Sequence, residues 1–69
     1  MISFDPLQIT LIKKKISKMD FVKMVDISPT TASKMWKGEY VAMSVIDNIC
    51  NTLEVPITDV IEHIPDNAN

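Results

Sequence analysis

Residues Ser17 to Gly38, SKMDFVKMVDISPTTASKMWKG, constrain the fold more than any other part of the chain. Twice in this stretch a serine stands directly before a run with helical periodicity. A serine hydroxyl at that place accepts from an amide in the first turn, so each serine reads as a helix start. Ser17 opens one helix, with Asp20 near its positive end and Phe21, Met24 and Val25 facing inward. The helix stops around Asp26, and Ile27 plugs the corner. Ser28-Pro29 opens the next, since proline suits a first helical position. Ala32, Met35 and Trp36 recur at helical spacing as its inner face, and Gly38 ends it. Pro29, Thr30, Ser33, Lys34 and Lys37 are left pointing outward. Two short helices joined by a tight polar turn, the second with a free polar flank, form a helix-turn-helix over about 17–38.

The flanking segments predict three further helices. Asp5-Pro6 combines an N-cap with a first-position proline, Gln8 completes a capping box, and Phe4, Leu7, Leu11 and Ile12 form a buried stripe. Lys13, Lys14 and Lys15 close that helix, where cations complement the carbonyl end of its dipole. After a loop over Glu39 to Met43, Ser44 caps a fourth helix that buries Val45, Ile46, Ile49, Cys50 and Leu53. Pro56 interrupts it, and Thr58 caps a short fifth helix with Val60, Ile61 and Ile64 apolar. The expected fold is all-α: one compact five-helix domain over 1–64 and a frayed tail over 65–69.

Composition narrows the function. The net charge of −2 hides a division: residues 1–38 carry all seven lysines against Asp5, Asp20 and Asp26, a balance of +4. Residues 39–69 carry six acidic residues and no lysine or arginine, a balance of −6. Such a split lets one face attract phosphate while the other repels it. The lone Cys50 excludes an internal disulfide, fits a reducing compartment and reads as a small buried hydrophobe. No apolar run is long enough to cross a bilayer, and no signal-peptide order is present, so a cytoplasmic location is expected. His63, the sole histidine, is expected in the terminal helix beside Glu62. No spacing suggests a metal site, a phosphate loop or a catalytic pair, so no enzyme, cofactor or small-molecule effector is expected.

This order of helix starts resembles the Cro/lambda-repressor-like helix-turn-helix family of bacterial and phage regulators, over roughly residues 5–64. Ser17 matches the family's Thr cap, Phe21 its Leu, Ile27-Ser28 its Val-Ser, Thr31 its Thr, and Gly38 its terminal Gly. The chain departs from the pattern in three places. Asp26 stands where the family has a turn glycine. Val22 and Ala32 exchange the family's small and branched residues between the two helices, a swap that keeps volume roughly constant. Leu11 and Trp36 stand where many relatives carry a buried Arg–Glu pair, so an apolar pair is expected there, with Trp36 in the core or, alternatively, partly exposed.

The resemblance implies a small sequence-specific regulator of transcription, a repressor, that binds double-stranded DNA with Ser28–Lys37 in the major groove. By position, Pro29, Thr30, Ser33 and Lys34 would read base edges, while Ser17, Lys18, Ser28, Lys37 and Tyr40 would meet phosphates. A homodimer on a two-fold site is implied as well, through either the apolar fifth helix or Tyr40-Val41-Met43. A second reading keeps the same frame as a protein-interaction module, such as an antitoxin-like or co-regulator subunit.

Overall fold

A computed structural model describes residues 1–66. Its elements are β1 (Ile2–Ser3), α1 (Asp5–Lys14), α2 (Lys18–Val25), α3 (Pro29–Trp36), α4 (Met43–Leu53), a 3₁₀ turn (Ile57–Asp59) and β2 (Glu62–His63). The core joins Phe4, Leu7 and Leu11 to Phe21, Val25, Met35, Ile46, Ile49, Leu53 and Val60. α1 packs against the 3₁₀ turn and α2 against α4, and α4 also meets the 3₁₀ turn.

Among the described residues four α-helices form rather than five. The segment after Pro56 makes only the 3₁₀ turn, in which Ile57 O accepts from the amides of Val60 at 2.9 Å and Ile61 at 3.0 Å. The chain then extends, because the amino-terminal strand offers backbone groups that need partners. β1 and β2 run antiparallel, with Ile2 opposite His63 and Ser3 opposite Glu62. His63 therefore lies on a strand, not on a terminal helix. Val60, expected on an apolar helix face, is wholly buried. Of the tail expected over 65–69, Asp66 accepts from the N-terminal ammonium at 2.7 Å, and residues 67–69 lie outside the described residues. That ammonium, by its hydrogen bond first and its charge second, holds the Asp66 carboxyl below the usual carboxylate range.

The helix starts divide into two kinds. Ser17 and Ser28 cap α2 and α3 as expected, each hydroxyl accepting a backbone amide three residues on at 3.1 Å. The other expected caps do not form. Phe4, not Asp5, takes the N-cap place of α1, and the amide of Asp5 donates to Ser3 Oγ at 3.1 Å. Gln8 makes no capping box, for its amide bonds Phe4 O at 3.3 Å. Ala42 precedes α4 without a side-chain cap, which leaves Ser44 inside the helix, and Pro56 rather than Thr58 precedes the 3₁₀ turn.

Every helix ends the same way. Lys15, Asp26, Gly38 and Glu54 have φ of 59°, 54°, 79° and 56°, and each reverses the chain in the left-handed region. The next residue then donates back to the helix: Ile16 to Leu11 O at 2.9 Å, Ile27 to Val22 O at 3.4 Å, Glu39 to Lys34 O at 2.9 Å and Val55 to Cys50 O at 3.1 Å. These bonds satisfy carbonyls that a helix end leaves open. Only one of the four closures uses glycine, and the other three carry the steric cost of a side chain in that region.

Two inward expectations are corrected. Ile12 is 76% exposed, because a turn of about 100° per residue carries it roughly 140° from Leu7, off the buried stripe. Met24 is 47% exposed, lying at the edge of the face that Phe21 and Val25 bury.

Candidate nucleic-acid interface

α3 is anchored by its inner face and offers its outer one. Ala32 and Met35 are buried, Trp36 is half-buried, and Pro29, Thr30, Ser33 and Lys34 are all exposed along the opposite flank. The hydroxyl of Ser28 accepts from the Thr31 amide and donates to Thr31 Oγ1 at 3.0 Å, which fixes the first turn of that flank. Ser17 and Ser28 are thereby committed to their helix ends, although both remain exposed.

α2 lies against α3 along a mostly apolar groove lined by Lys18, Met19, Val22, Pro29, Ser33 and Trp36 among others. Val22 and Ala32, the pair whose sizes are exchanged relative to the family, both line it. Val22 is only half-buried, so truncating it would widen an open groove rather than leave a sealed void. On the far side of α3, Lys34 and Tyr40 share a shallow depression with Thr31 and Val45. Lys18 is thus brought beside Pro29 and Ser33, and Lys34 beside Tyr40. Lys37, also exposed, is the last residue before the left-handed Gly38.

Charge on this side is uncompensated locally. The one ion pair among the described residues joins the N-terminal ammonium to Asp66, so none of the seven lysines is neutralised by a carboxylate contact there. Acidic groups do lie on the same helices, Asp20 in the first turn of α2 and Asp26 at its end, but neither pairs with a lysine.

Trp36 is not plain core. Its ring is tilted by 56° against Phe21 with centroids 5.9 Å apart, and Lys18 Nζ stands 4.6 Å from the indole centroid. Leu11 is buried as expected, and the ring partners of Trp36 are Phe21 and Lys18.

Sequence reasoning missed the residues that hold this frame in place. Asn48 Nδ2 donates to Val25 O at 2.6 Å, tying α4 to an open carbonyl at the end of α2. Thr10 Oγ1 donates to Asp59 O at 2.8 Å, fastening α1 to the 3₁₀ turn. Neither has a local signature, since both bonds join residues far apart in the chain. Met19 is 70% exposed on the same groove as Pro29, and its place on the outer face of α2 is the only sequence signal of that exposure. Among the described residues no cluster of His, Cys, Asp or Glu could hold a metal ion, and no helix is long and apolar enough to cross a membrane.

Comparison with known proteins agrees with this geometry. No curated protein matches the chain. The crystal structure of the transcriptional regulator VanUg (form II) is similar to it with a TM-score of 0.90 and 31% sequence identity, covering 94% of this chain and 87% of that one. The model of the Cro/C1-type helix-turn-helix DNA-binding domain matches residues 6–66. With nearly the whole chain matched and its central motif formed by α2, the Asp26 turn and α3, the protein belongs to the Cro/C1-type helix-turn-helix DNA-binding domain family.

Proposed function

We propose that the chain is a sequence-specific regulator of transcription, acting as a repressor, which lays α3 in the major groove of double-stranded DNA. One observation carries the reading: Pro29, Thr30, Ser33 and Lys34 form an exposed flank on an anchored helix, amid lysines that no carboxylate neutralises. Lys34 would donate to guanine N7 or O6, and Thr30 or Ser33 would serve donor or acceptor edges, with the Thr30 methyl meeting thymine. Pro29 offers only apolar contact and shape. Lys18, Lys37 and Tyr40 would meet phosphates on either side, assisted by the amide ends that Ser17 and Ser28 cap.

A homodimer would place two such helices about 34 Å apart on a two-fold site. Each of the two surfaces considered for that contact leaves an apolar side chain exposed, Met43 in one and Ile57 in the other, while Val60 is buried. The domain itself supplies no catalytic or effector chemistry in this reading.

Anisotropy titrations against random duplex at two salt concentrations test it. Binding should weaken steeply with salt, because each neutralised phosphate releases counterions. Lys34→Ala should alter the sequences recovered from a random duplex pool, whereas Lys18→Ala should weaken binding to all of them and flatten the salt slope. Salt-insensitive binding, or none, would transfer the fold to the protein-interaction role, for which the net acidic charge already speaks.

A further inference from the structure

Lys18 is placed where helix stability gives no reason for a cation. It is the first residue of α2, at the positive end of the helix dipole, and no carboxylate pairs with it. Its ammonium is nevertheless fixed over the Trp36 face, 4.6 Å from the centroid, as no other lysine among the described residues is. The indole is in turn held by Phe21, a wholly buried side chain, at a centroid distance of 5.9 Å. Lys18 and Trp36 both line the groove that Pro29 and Ser33 share, so the fixed charge sits beside the flank proposed to read bases.

We infer that Trp36 is a positioning residue for a phosphate contact made by Lys18. A lysine free to rotate loses several rotatable bonds' worth of freedom when it docks on a ligand. An ammonium already attracted to an indole face has lost part of that freedom beforehand. The N–H groups pointing away from the ring remain open to a phosphate oxygen. Trp36 therefore acts on DNA affinity without touching DNA, through the place it gives to Lys18. The inference rests on the DNA-binding reading above and assigns a role that the matching helix-turn-helix positions do not themselves supply.

A double-mutant cycle in the full chain tests it, with affinity for one duplex measured by anisotropy over a range of salt. Lys18→Met should lower the salt slope by about 0.9, the share of one phosphate. Trp36→Leu should weaken binding about fivefold when Lys18 is present, and hardly at all in the Lys18→Met background. Trp36→Phe, which keeps a ring of weaker attraction, should recover most of the loss. Because Trp36 is the only tryptophan, its emission reports the contact directly in the free protein. Lys18→Met should shift it, and this arm needs no change at position 36 should Trp36→Leu fail to fold. An unshifted emission, or an equal loss of affinity from Trp36→Leu with and without Lys18, overturns the positioning role alone. A wild-type chain that binds no duplex overturns the DNA-binding reading, and the phosphate role with it.

Discussion

The central pair of helices and the segment from α4 to β2 are held by different physics. α2 and α3 are short, and each begins on a serine whose side chain caps it; the turn between them closes on a left-handed aspartate. α4 and the 3₁₀ turn begin without any side-chain cap and are placed by burial of Ile46, Ile49, Leu53 and Val60. The charges also divide along the chain: the lysines all precede Gly38, four of them from Lys18 to Lys37, and from Glu39 onward there are six acidic residues and no lysine or arginine. The first region carries local instructions and an interacting surface. The second supplies apolar area, and through the Asn48 bond to Val25 O it fixes where α2 ends. A scaffold that repels phosphate and a reading unit that attracts it would turn the domain toward DNA before contact is made.

If burial holds the second region, truncation there should cost most. Ile49→Ala should lower stability by about 3 kcal/mol, since it removes a fully buried side chain at the centre of the core. Chemical denaturation measures this, and a loss no larger than that of a cap deletion would erase the distinction between the regions. The caps provide the sharper contrast. Ser28→Ala should cost about 1 kcal/mol by freeing the Thr31 amide. Ser44→Ala should cost nothing and gain up to about 0.5 kcal/mol, because Ser44 sits exposed inside α4 and alanine is the better helix former. Equal losses at both serines would mean that Ser44 caps after all.

The same contrast explains what the sequence made legible. Ser17 and Ser28 act on amides three residues away, so their function is written in local order. The outward flank Pro29, Thr30, Ser33 and Lys34 follows from the periodicity of Ala32 and Met35, and it is exposed as expected. Ser44 and Thr58 carry the same local signal without its outcome, because packing starts α4 two residues earlier and shortens the last helix to a 3₁₀ turn. β1 and β2 pair across nearly the whole chain, and two residues on each side are too few to show an alternating pattern. The Lys18–Trp36 contact was hidden for a related reason. The sequence shows Lys18 only by its position and Trp36 only by its apolar character, and the packing of α2 on α3 brings the two together.

The helix ends offer a gain where the starts offered losses. Asp26 stands left-handed at φ 54°, in the turn where the family has glycine. Asp26→Gly should therefore relieve strain and stabilise the domain by up to about 1 kcal/mol, less what the freer unfolded chain takes back. Lys15→Gly and Glu54→Gly, with φ of 59° and 56°, should behave alike, while Gly38→Ala should destabilise although nothing lies within 4 Å of its added carbon. Asp26→Gly also removes a negative charge next to α3, so its DNA affinity should rise with its melting temperature. Lys15→Gly, by removing a cation, should raise the melting temperature alone. Parallel affinity changes in the two variants would show that turn rigidity, not charge, governs binding.

The smallest effect concerns Cys50, on the scaffold side of the comparison. Burial, and then the neighbouring Asp47 carboxylate, push its thiol above the ordinary value. The folded chain therefore holds the proton more tightly than the unfolded one. Below the unfolded thiol's pKa both states keep it and stability is unaffected. As pH rises through that value toward the folded pKa, the unfolded thiol ionises first, and the folded state loses stability. Melting curves of wild type and Cys50→Ala, compared from neutral to alkaline pH, isolate this term because the two chains differ only at this thiol. The gap between them should change in favour of Cys50→Ala only on the alkaline side. The free thiol should also react slowly with an alkylating reagent at neutral pH, since the thiolate is the nucleophile. A constant gap across the range would mean that Cys50 ionises as freely in the fold as outside it, and that this face of α4 is less shielded than its packing against the core implies.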